Sequence, residues 1–247
     1  MTFDRRGREQ AVSDDPAALQ AAAHVFVADL ALPLLEAHDA VHLARVLRLR
    51  SGEHVTVADG RGNWRLTVVP AGFPDAPLEP IAEVVHQAAP LPALTVACAL
   101  TKGDKPELVV QKLTELGIDR IAFFAAEHSV VRWDDEKRRR NVVRLAVVAR
   151  EAAMQCRRAH LPQIDIVTFT EAASSAGVAL ADRGGEPCSL RYPTVLVGPE
   201  GGWSSAERDV GLPVVGFGGH VLRAETAAIA AAVLLGSERH KLPVDLD

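Results

Sequence analysis

Three glycines, Gly198, Gly201 and Gly202, punctuate the stretch VLVGPEGGWSSAERD, Val195 to Asp209, where an apolar run gives way to a polar one. Glycine removes the side chain where backbone must approach another group closely or adopt positive φ. The residues before it read as a buried strand, and the carboxyl ends of strands are where open α/β sheets hold ligands. Ser204 and Glu207 have capping-box spacing, so a helix should leave the loop at once. A tight strand-to-helix turn needs the same residues with no ligand, and the loop alone leaves both readings open. A phosphate cradle does not fit, because the stretch is neither GxxxxGK(S/T) nor GxGxxG and no lysine follows the glycines. Such a loop instead offers backbone N–H and C=O groups to a polar, neutral ring edge such as adenine.

A second stretch, VVGFGGHVLRAETAAIAAAVLL from Val214, repeats the logic. Strand residues Val214 to Phe217 run into Gly218 and Gly219, then a short crossing, then a helix beginning near Glu225. That helix is apolar almost all round from Ala227 to Leu235, so it must be buried on more than one side. Arg223 and Glu225 stand between the glycines and this buried helix, where charges are rarely left unpaired.

The elements that position these loops follow from the rhythm of the chain. Residues 1–22 are polar, charged and aperiodic, and read as a disordered extension. Residues 23–88 show short strands, HVFVADL, HVTVADG with its Asp59-Gly60 turn, WRLTVV and PIAEVVHQ, interrupted by one helix around Asp39 to Leu49. This reads as a small β-barrel. Gln87 to Leu94 carries two prolines and suits a linker. From residue 94 to 247, strands alternate with helices: LTVACAL, a helix from Lys105 to Leu116, IAFFAAE, a long helix from Asp134 to Arg158, IDIVTF, a helix from Thr170, TVLVG, a short helix from Ser205, VVGF and the final helix. Alternation of this kind implies a parallel sheet covered on both faces.

Composition narrows the function classes. With 247 residues and 48% hydrophobic residues the chain has the makings of one large domain or two smaller ones. No apolar run approaches the roughly 18 residues of a membrane span, and the first residues lack a signal peptide's apolar core. A cytoplasmic protein with no membrane partner is expected. Cys98, Cys156 and Cys188 form neither a disulfide framework nor a zinc spacing, and the histidines show no HExxH, so no metal is expected. The net charge of −5 argues against indiscriminate coating of nucleic acid. Lys102 to Arg158, however, holds 13 basic and 9 acidic residues, leaving −9 for the remainder. A local basic surface on an acidic body is permitted, and a solvated helix face gives the same count.

Taken together, GPEGGW at Gly198 to Trp203 and FGGHVLRAETA at Phe217 to Ala227 resemble the signature of the RsmE family, SPOUT-superfamily methyltransferases that act on N3 of a uridine in small-subunit (16S) ribosomal RNA. TKGDKPELVVQKLTELGI, EHSVVR and REAAMQCRRAHLP match that family's segments in order, and HLARVLRLRSGEHVTVADGRG resembles its amino-terminal PUA-like domain. The resemblance runs from about His24 to the end. It implies a SPOUT-type α/β domain with a carboxy-terminal trefoil knot, an exception to the unknotted rule, preceded by a PUA-like β-barrel. It further implies S-adenosyl-L-methionine as cofactor, a homodimer with the cofactor site near the contact, and ribosomal RNA or the small ribosomal subunit as partner. Carried onto this chain, the cofactor residues are Leu196, Gly198, Pro199, Glu200, Gly201, Gly202, Phe217, Gly218, Val221, Leu222, Thr226 and Ala227. His220 stands where the family has arginine, Phe217 where it has leucine, and Leu145 where many members place tryptophan.

Methyl transfer from a sulfonium demands alignment more than a strong acid. Uracil N3 must lose its proton, so donors or cations near the carbonyl oxygens should favour the anionic base. Arg223 is assigned that work, with Glu225 orienting it or accepting a proton; a first-turn glutamate is also favoured by the helix dipole alone. On the long helix, Arg144, Glu151, Gln155 and Arg158 share a face, as do Lys105 and Lys112 on theirs. With Lys102 and Arg157, the residues Lys105, Lys112, Gln155 and Arg158 are candidate RNA contacts, although an exposed helix shows the same pattern without RNA. Arg45, Arg48 and Arg50 form a basic strip in the small domain. The alternatives are a knotted methyltransferase acting on another RNA position, and a non-catalytic RNA-binding or ribosome assembly protein.

Overall fold

A computed structural model describes residues 11–242. These residues form two compact units, one reaching to Ala89 and including Ala153–Leu161, the other comprising Pro90–Ala152 and the chain from Pro162.

The first unit begins earlier than the sequence suggests. A single 3₁₀ turn at Val12–Asp14 leads into helix α1 (Pro16–Gln20), whose N-cap Asp15 accepts from the N–H groups of Ala17 and Ala18. Val12 and Ala18 are fully buried, in a cluster with Phe26, Ala58, Trp64, Ala153 and Ala159. Residues 11–22 are therefore folded, contrary to the expectation of disorder; residues 1–10 lie outside the described residues. The Asp15-Pro16 pair is a local start signal that a short helix supplies without any periodicity.

Strand β1 (Ala23–Phe26) is followed by helix α2 (Ala37–Val41), which runs on as a π turn to Val46. β1 pairs in parallel with β2 (His54–Ala58), and β2 pairs antiparallel with β3 (Asn63–Val68). The turn between them is held by Asp59, whose carboxylate accepts from the N–H groups of Arg61 and Asn63 and from the Asn63 side chain. β4 (Glu79–Pro80) and β5 (Val85–His86) complete a five-stranded sheet along β3. Val25, Leu43, Val55, Val57, Val69 and Leu78 form its core, with Met154 packed against them.

The second unit carries six parallel strands in the order β11-β9-β10-β6-β7-β8. In chain order its elements are β6 (Thr95–Ala99), α3 (Lys105–Glu115), β7 (Arg120–Phe124), α4 (Asp135–Gln155), β8 (Gln163–Val167), α5 (Phe169–Ala173), β9 (Val178–Pro187), β10 (Thr194–Val197), α6 (Ser205–Arg208), β11 (Val214–Gly216) and α7 (Ala224–His240). Alternate residues of the strands feed two cores. Val96, Cys98, Ile121, Phe123, Val195 and Val197 face α3 and α7, whose Val110, Leu113, Ala228, Ala231 and Leu235 are buried against them. Ala97, Ala99, Phe124, Leu180, Leu196 and Trp203 form the other face. Both faces are covered, which explains the continuous apolar runs.

Two readings of this unit change. β9 was missed, because its four apolar residues are followed by charges and glycines. The strand lies between β10 and β11, and its pairing with β11 shifts register at Val214/Val215. There a Cβ on Gly185 would lie 2.5 Å from the carbonyl carbon of Val215, so only glycine fits the crossing. The long helix also ends at Gln155, before Arg158.

His24 sets a pH limit on the first unit. Its ring is 4% exposed. Nε2 lies 3.0 Å from the carbonyl of Arg158 and must donate, while Nδ1 lies 2.8 Å from the Thr56 hydroxyl, which itself donates to the Ala23 carbonyl at 3.3 Å. Burial favours the neutral ring and lowers its pKa to about 4 from the ordinary 6.5, with the Arg158 carbonyl opposing the shift and the Arg157 charge adding to it. The folded state thus binds fewer protons than the unfolded state between pH 6.5 and 4, and stability falls as pH falls through that window. Urea unfolding should lose about 2 kcal/mol between pH 7 and pH 5 from this group. A His24→Asn variant, weaker at pH 7, should lose that much less over the same interval.

Candidate active site

A cavity of about 320 Å³ opens at the carboxyl side of β9, β10 and β11. Its walls are Ala181, Asp182 and Arg183 of β9, the loop after β10 from Gly198 to Trp203, the loop after β11 from Phe217 to Leu222, and the first turn of α7. Ten of the twelve residues read as cofactor contacts line it: Gly198, Pro199, Glu200, Gly201, Gly202, Phe217, Gly218, Val221, Leu222 and Ala227. Leu196 does not, because it is fully buried in the core on one face of the sheet. Thr226 also does not, being exposed on α7. Ala181, Asp182, Arg183, Trp203, Arg208 and Ala224 line the cavity but were not anticipated. Three of them belong to the strand that the sequence reading passed over.

The glycines of the first loop owe their places largely to neighbouring side chains. A Cβ on Gly198 would lie 2.9 Å from the Trp203 ring, and one on Gly201 would lie 3.1 Å from the His128 Cβ. Gly202 has φ +73 and Gly218 φ +121, conformations that favour glycine. Trp203 is fixed in turn. Its ring stacks on Phe124 at 6.1 Å and 7°, Phe169 packs at a tilt, and its indole N–H donates to the carbonyl of Ala181 at 3.0 Å. Ser204 and Glu207 form the expected capping box. The buried Glu207 also accepts from the N–H of Glu127, and His128 Nδ1 donates to the carbonyl of Gly202, so the segment after β7 braces the loop.

Charges around the cavity are mostly paired. Arg208 pairs with Asp182. Lys105, read as an RNA contact, instead places its ammonium 2.8 Å from Glu200 Oε1 and 3.2 Å from Glu225 Oε2. The hydrogen bond to Glu200 is the main reason the lysine is held above its ordinary pKa, and the same bond holds Glu200 below the usual carboxylate range. The Glu225 contact lacks hydrogen-bond alignment and is an ion pair only. Glu225 therefore has Lys105 as its partner, where the sequence reading gave it Arg223. Arg223 is the N-cap of α7, exposed, and outside the cavity wall.

The other predicted RNA contacts divide. Lys112 donates to both oxygens of Glu115 on its own helix. Arg157 donates to the carbonyls of Ala18 and Ala21 at 2.8 and 2.6 Å, so it serves as a structural clamp for the folded amino-terminal segment. Arg158 is half-buried, its carbonyl engaged by His24. Arg144 pairs with Glu107 at 2.7 Å. Lys102, Gln155, Arg45, Arg48 and Arg50 are exposed. Among the described residues no group of three potential metal ligands converges, and no helix is long and apolar enough to cross a membrane.

Comparison with known proteins adds a family. Residues 87–236 match the model of an RNA methyltransferase domain, and residues 35–70 match an RNA methyltransferase PUA domain. A Mycobacterium bovis protein named ribosomal RNA small subunit methyltransferase E is 29% identical over 226 residues, 83% of this chain and 86% of that protein. A Legionella pneumophila methyltransferase structure with SAM bound superimposes with a TM-score of 0.73 at 25% identity, covering 87% of this chain and 96% of the other. The Neisseria gonorrhoeae ribosomal RNA small subunit methyltransferase E, bound to S-adenosyl methionine, gives 0.69 at 25% identity, covering 85% and 94%.

The packing of Trp203 makes a direct prediction. Gly198→Ala should destabilise the protein by about 1–3 kcal/mol in urea unfolding, since the ring that meets the new methyl is held on two sides. Gly219→Ala, where a Cβ meets nothing within 4 Å, should change stability by less than about 0.5 kcal/mol.

Proposed function

Because the chain belongs to the RNA methyltransferase family defined by that domain, we propose that it methylates N3 of a uridine in small-subunit (16S) ribosomal RNA, using S-adenosyl-L-methionine. The observation that carries this reading is the cavity itself, walled by two glycine loops at parallel strand ends. Its volume of about 320 Å³ falls in the range of small-molecule sites. Its lining suits the donor: backbone groups of Gly198 to Gly202 for the polar edge of adenine, and Val197, Phe217, Leu222 and Ala227 for apolar contact. The bound donor supplies an electrophilic methyl group. What remains for the protein is to bind, orient and deprotonate the uracil.

In this reading Arg223, exposed at the start of α7, faces the incoming RNA and favours the anionic form of the base through its carbonyl oxygens. Glu225 lies two residues further into the same turn, with an ion-pair partner in Lys105. It is the nearest carboxylate in sequence to take the N3 proton. Exposed Lys102 and the Arg45, Arg48 and Arg50 strip of the PUA domain supply phosphate contacts that set register without reading sequence. We further propose that the loops after β10 and β11 thread as the family's trefoil knot and that two copies associate. The exposed Val221, Val233 and Leu234 beside the cavity loops and on α7 support such an association. The cytoplasm, where ribosomes are, is the proposed location.

Mass spectrometry of 16S ribosomal RNA from cells lacking this protein should show one missing 3-methyluridine, restored by the wild-type gene. A methyl group lost from another position would favour a different RNA target. Arg223→Ala should abolish methyl transfer while calorimetry still detects S-adenosylmethionine binding, and unchanged transfer would refute the role given to Arg223.

A further inference from the structure

Two carboxylates, one from a loop and one from a helix, meet at one ammonium. Glu200 belongs to the loop after β10 and lines the cavity; Glu225 stands in the first turn of α7 between Ala224 and Ala227, which also line it. Lys105 Nζ is 2.8 Å from the first and 3.2 Å from the second. Glu225 Oε2 is buried and makes no hydrogen bond, so the ammonium is what compensates its charge. Without that ammonium, two like charges would remain close together, one of them largely withdrawn from water. Lys105 itself stands on a fixed base. It opens α3, and Pro106, Val109, Val110 and Leu113 behind it are buried.

Resting on the reading of this cavity as the S-adenosylmethionine site, we propose that Lys105 is a positioning residue. By holding Glu200 and Glu225 to one ammonium, it fixes the loop after β10 against the first turn of α7 and so sets the width of the cofactor cavity. The Lys105 and Glu200 side chains are 33% and 51% exposed, and pairs this exposed add little to global stability. The effect of breaking the Glu200 arm alone therefore falls on cavity shape and not on unfolding, whereas the Glu225 side chain is 14% exposed, so removing the ammonium also leaves a largely buried charge uncompensated. An arginine at the same place keeps the charge and can span two carboxylates with its planar fork.

The test is calorimetric titration of S-adenosylmethionine into the wild-type protein, K105M, K105R, E200Q and the K105M/E200Q double variant, with thermal midpoints measured alongside. E200Q should bind several-fold more weakly at an unchanged midpoint, K105M should bind more weakly with a lowered midpoint, and K105R should recover most of both. The double variant should bind no more weakly than the weaker single variant, because both substitutions break the same bridge. K105M binding as tightly as wild type, or losses from K105M and E200Q that add in full, would overturn the inference while leaving the cavity's assignment intact. Wild-type protein that takes up no S-adenosylmethionine would instead overturn that assignment, and this inference with it.

Discussion

Trp203 holds the ends of two strands and one loop to a single geometry. Its indole N–H is committed to the Ala181 carbonyl of β9, and its ring lies parallel to Phe124 of β7. Its edge leaves no space for a side chain at Gly198, directly after β10. A backbone bend that must lie on an aromatic ring admits glycine alone, and the loop's path into the cavity follows from that contact. Buried aromatic pairs of this kind contribute about 0.5–1.5 kcal/mol beyond the area they cover. The larger consequence is geometric, since a loop without regular hydrogen bonding is made as rigid as the sheet beneath it. Glu207 extends the effect by binding the segment after β7 to the cap of α6.

Charge between Lys102 and Arg158 is committed to structure before it reaches any ligand. The stretch from Lys102 to Arg158 has a surplus of basic residues, yet Lys105, Lys112, Arg120, Arg144 and Arg157 each have an oxygen partner inside the protein. A count along the sequence therefore overstates the positive field offered to a phosphate. What remains exposed in the proposed RNA-contact set is Lys102, Gln155 and the three arginines near α2. Arg48 has φ +55, a conformation uncommon for a side-chain-bearing residue. Its exposed neighbours Val46 and Leu47 stand with it at the end of the π turn.

The parallel sheet and both glycine loops were legible because they rest on local signals: apolar runs, alternation with helices, and glycines at strand ends. β9 was not, since only Val178 to Leu180 are deeply buried and the strand after Ala181 is charges, glycines and a proline. Its pairing depends on contacts distant in sequence. The same distinction explains Lys105 and Arg157. Spacing places each on a helix or at its end, but their partners, Glu200 and the Ala18 and Ala21 carbonyls, lie 95 and more than 130 residues away in the chain. The folded segment at residues 11–22 failed for a further reason. Its order comes from three buried side chains, Val12, Ala18 and Ala21, too few to create a pattern, and from the Arg157 clamp on its carbonyls.

The sheet order explains why the Lys105 bridge lies where it does. From β6 the chain moves to β7 and then β8 on one side; from β10 it moves over β9 to β11 on the other. The neighbours β6 and β10 thus send their outgoing loops in opposite directions, which is the condition for a crevice at a topological switch point. Lys105 follows β6 and Glu200 follows β10, so their ion pair spans that crevice. The cavity lies one strand aside, over β9 and β10, with β11 and α7 closing its far wall. An ordinary doubly wound enzyme leaves the switch point open for its ligand. Here a lysine bridges it, and the cavity lies where two glycine loops face each other.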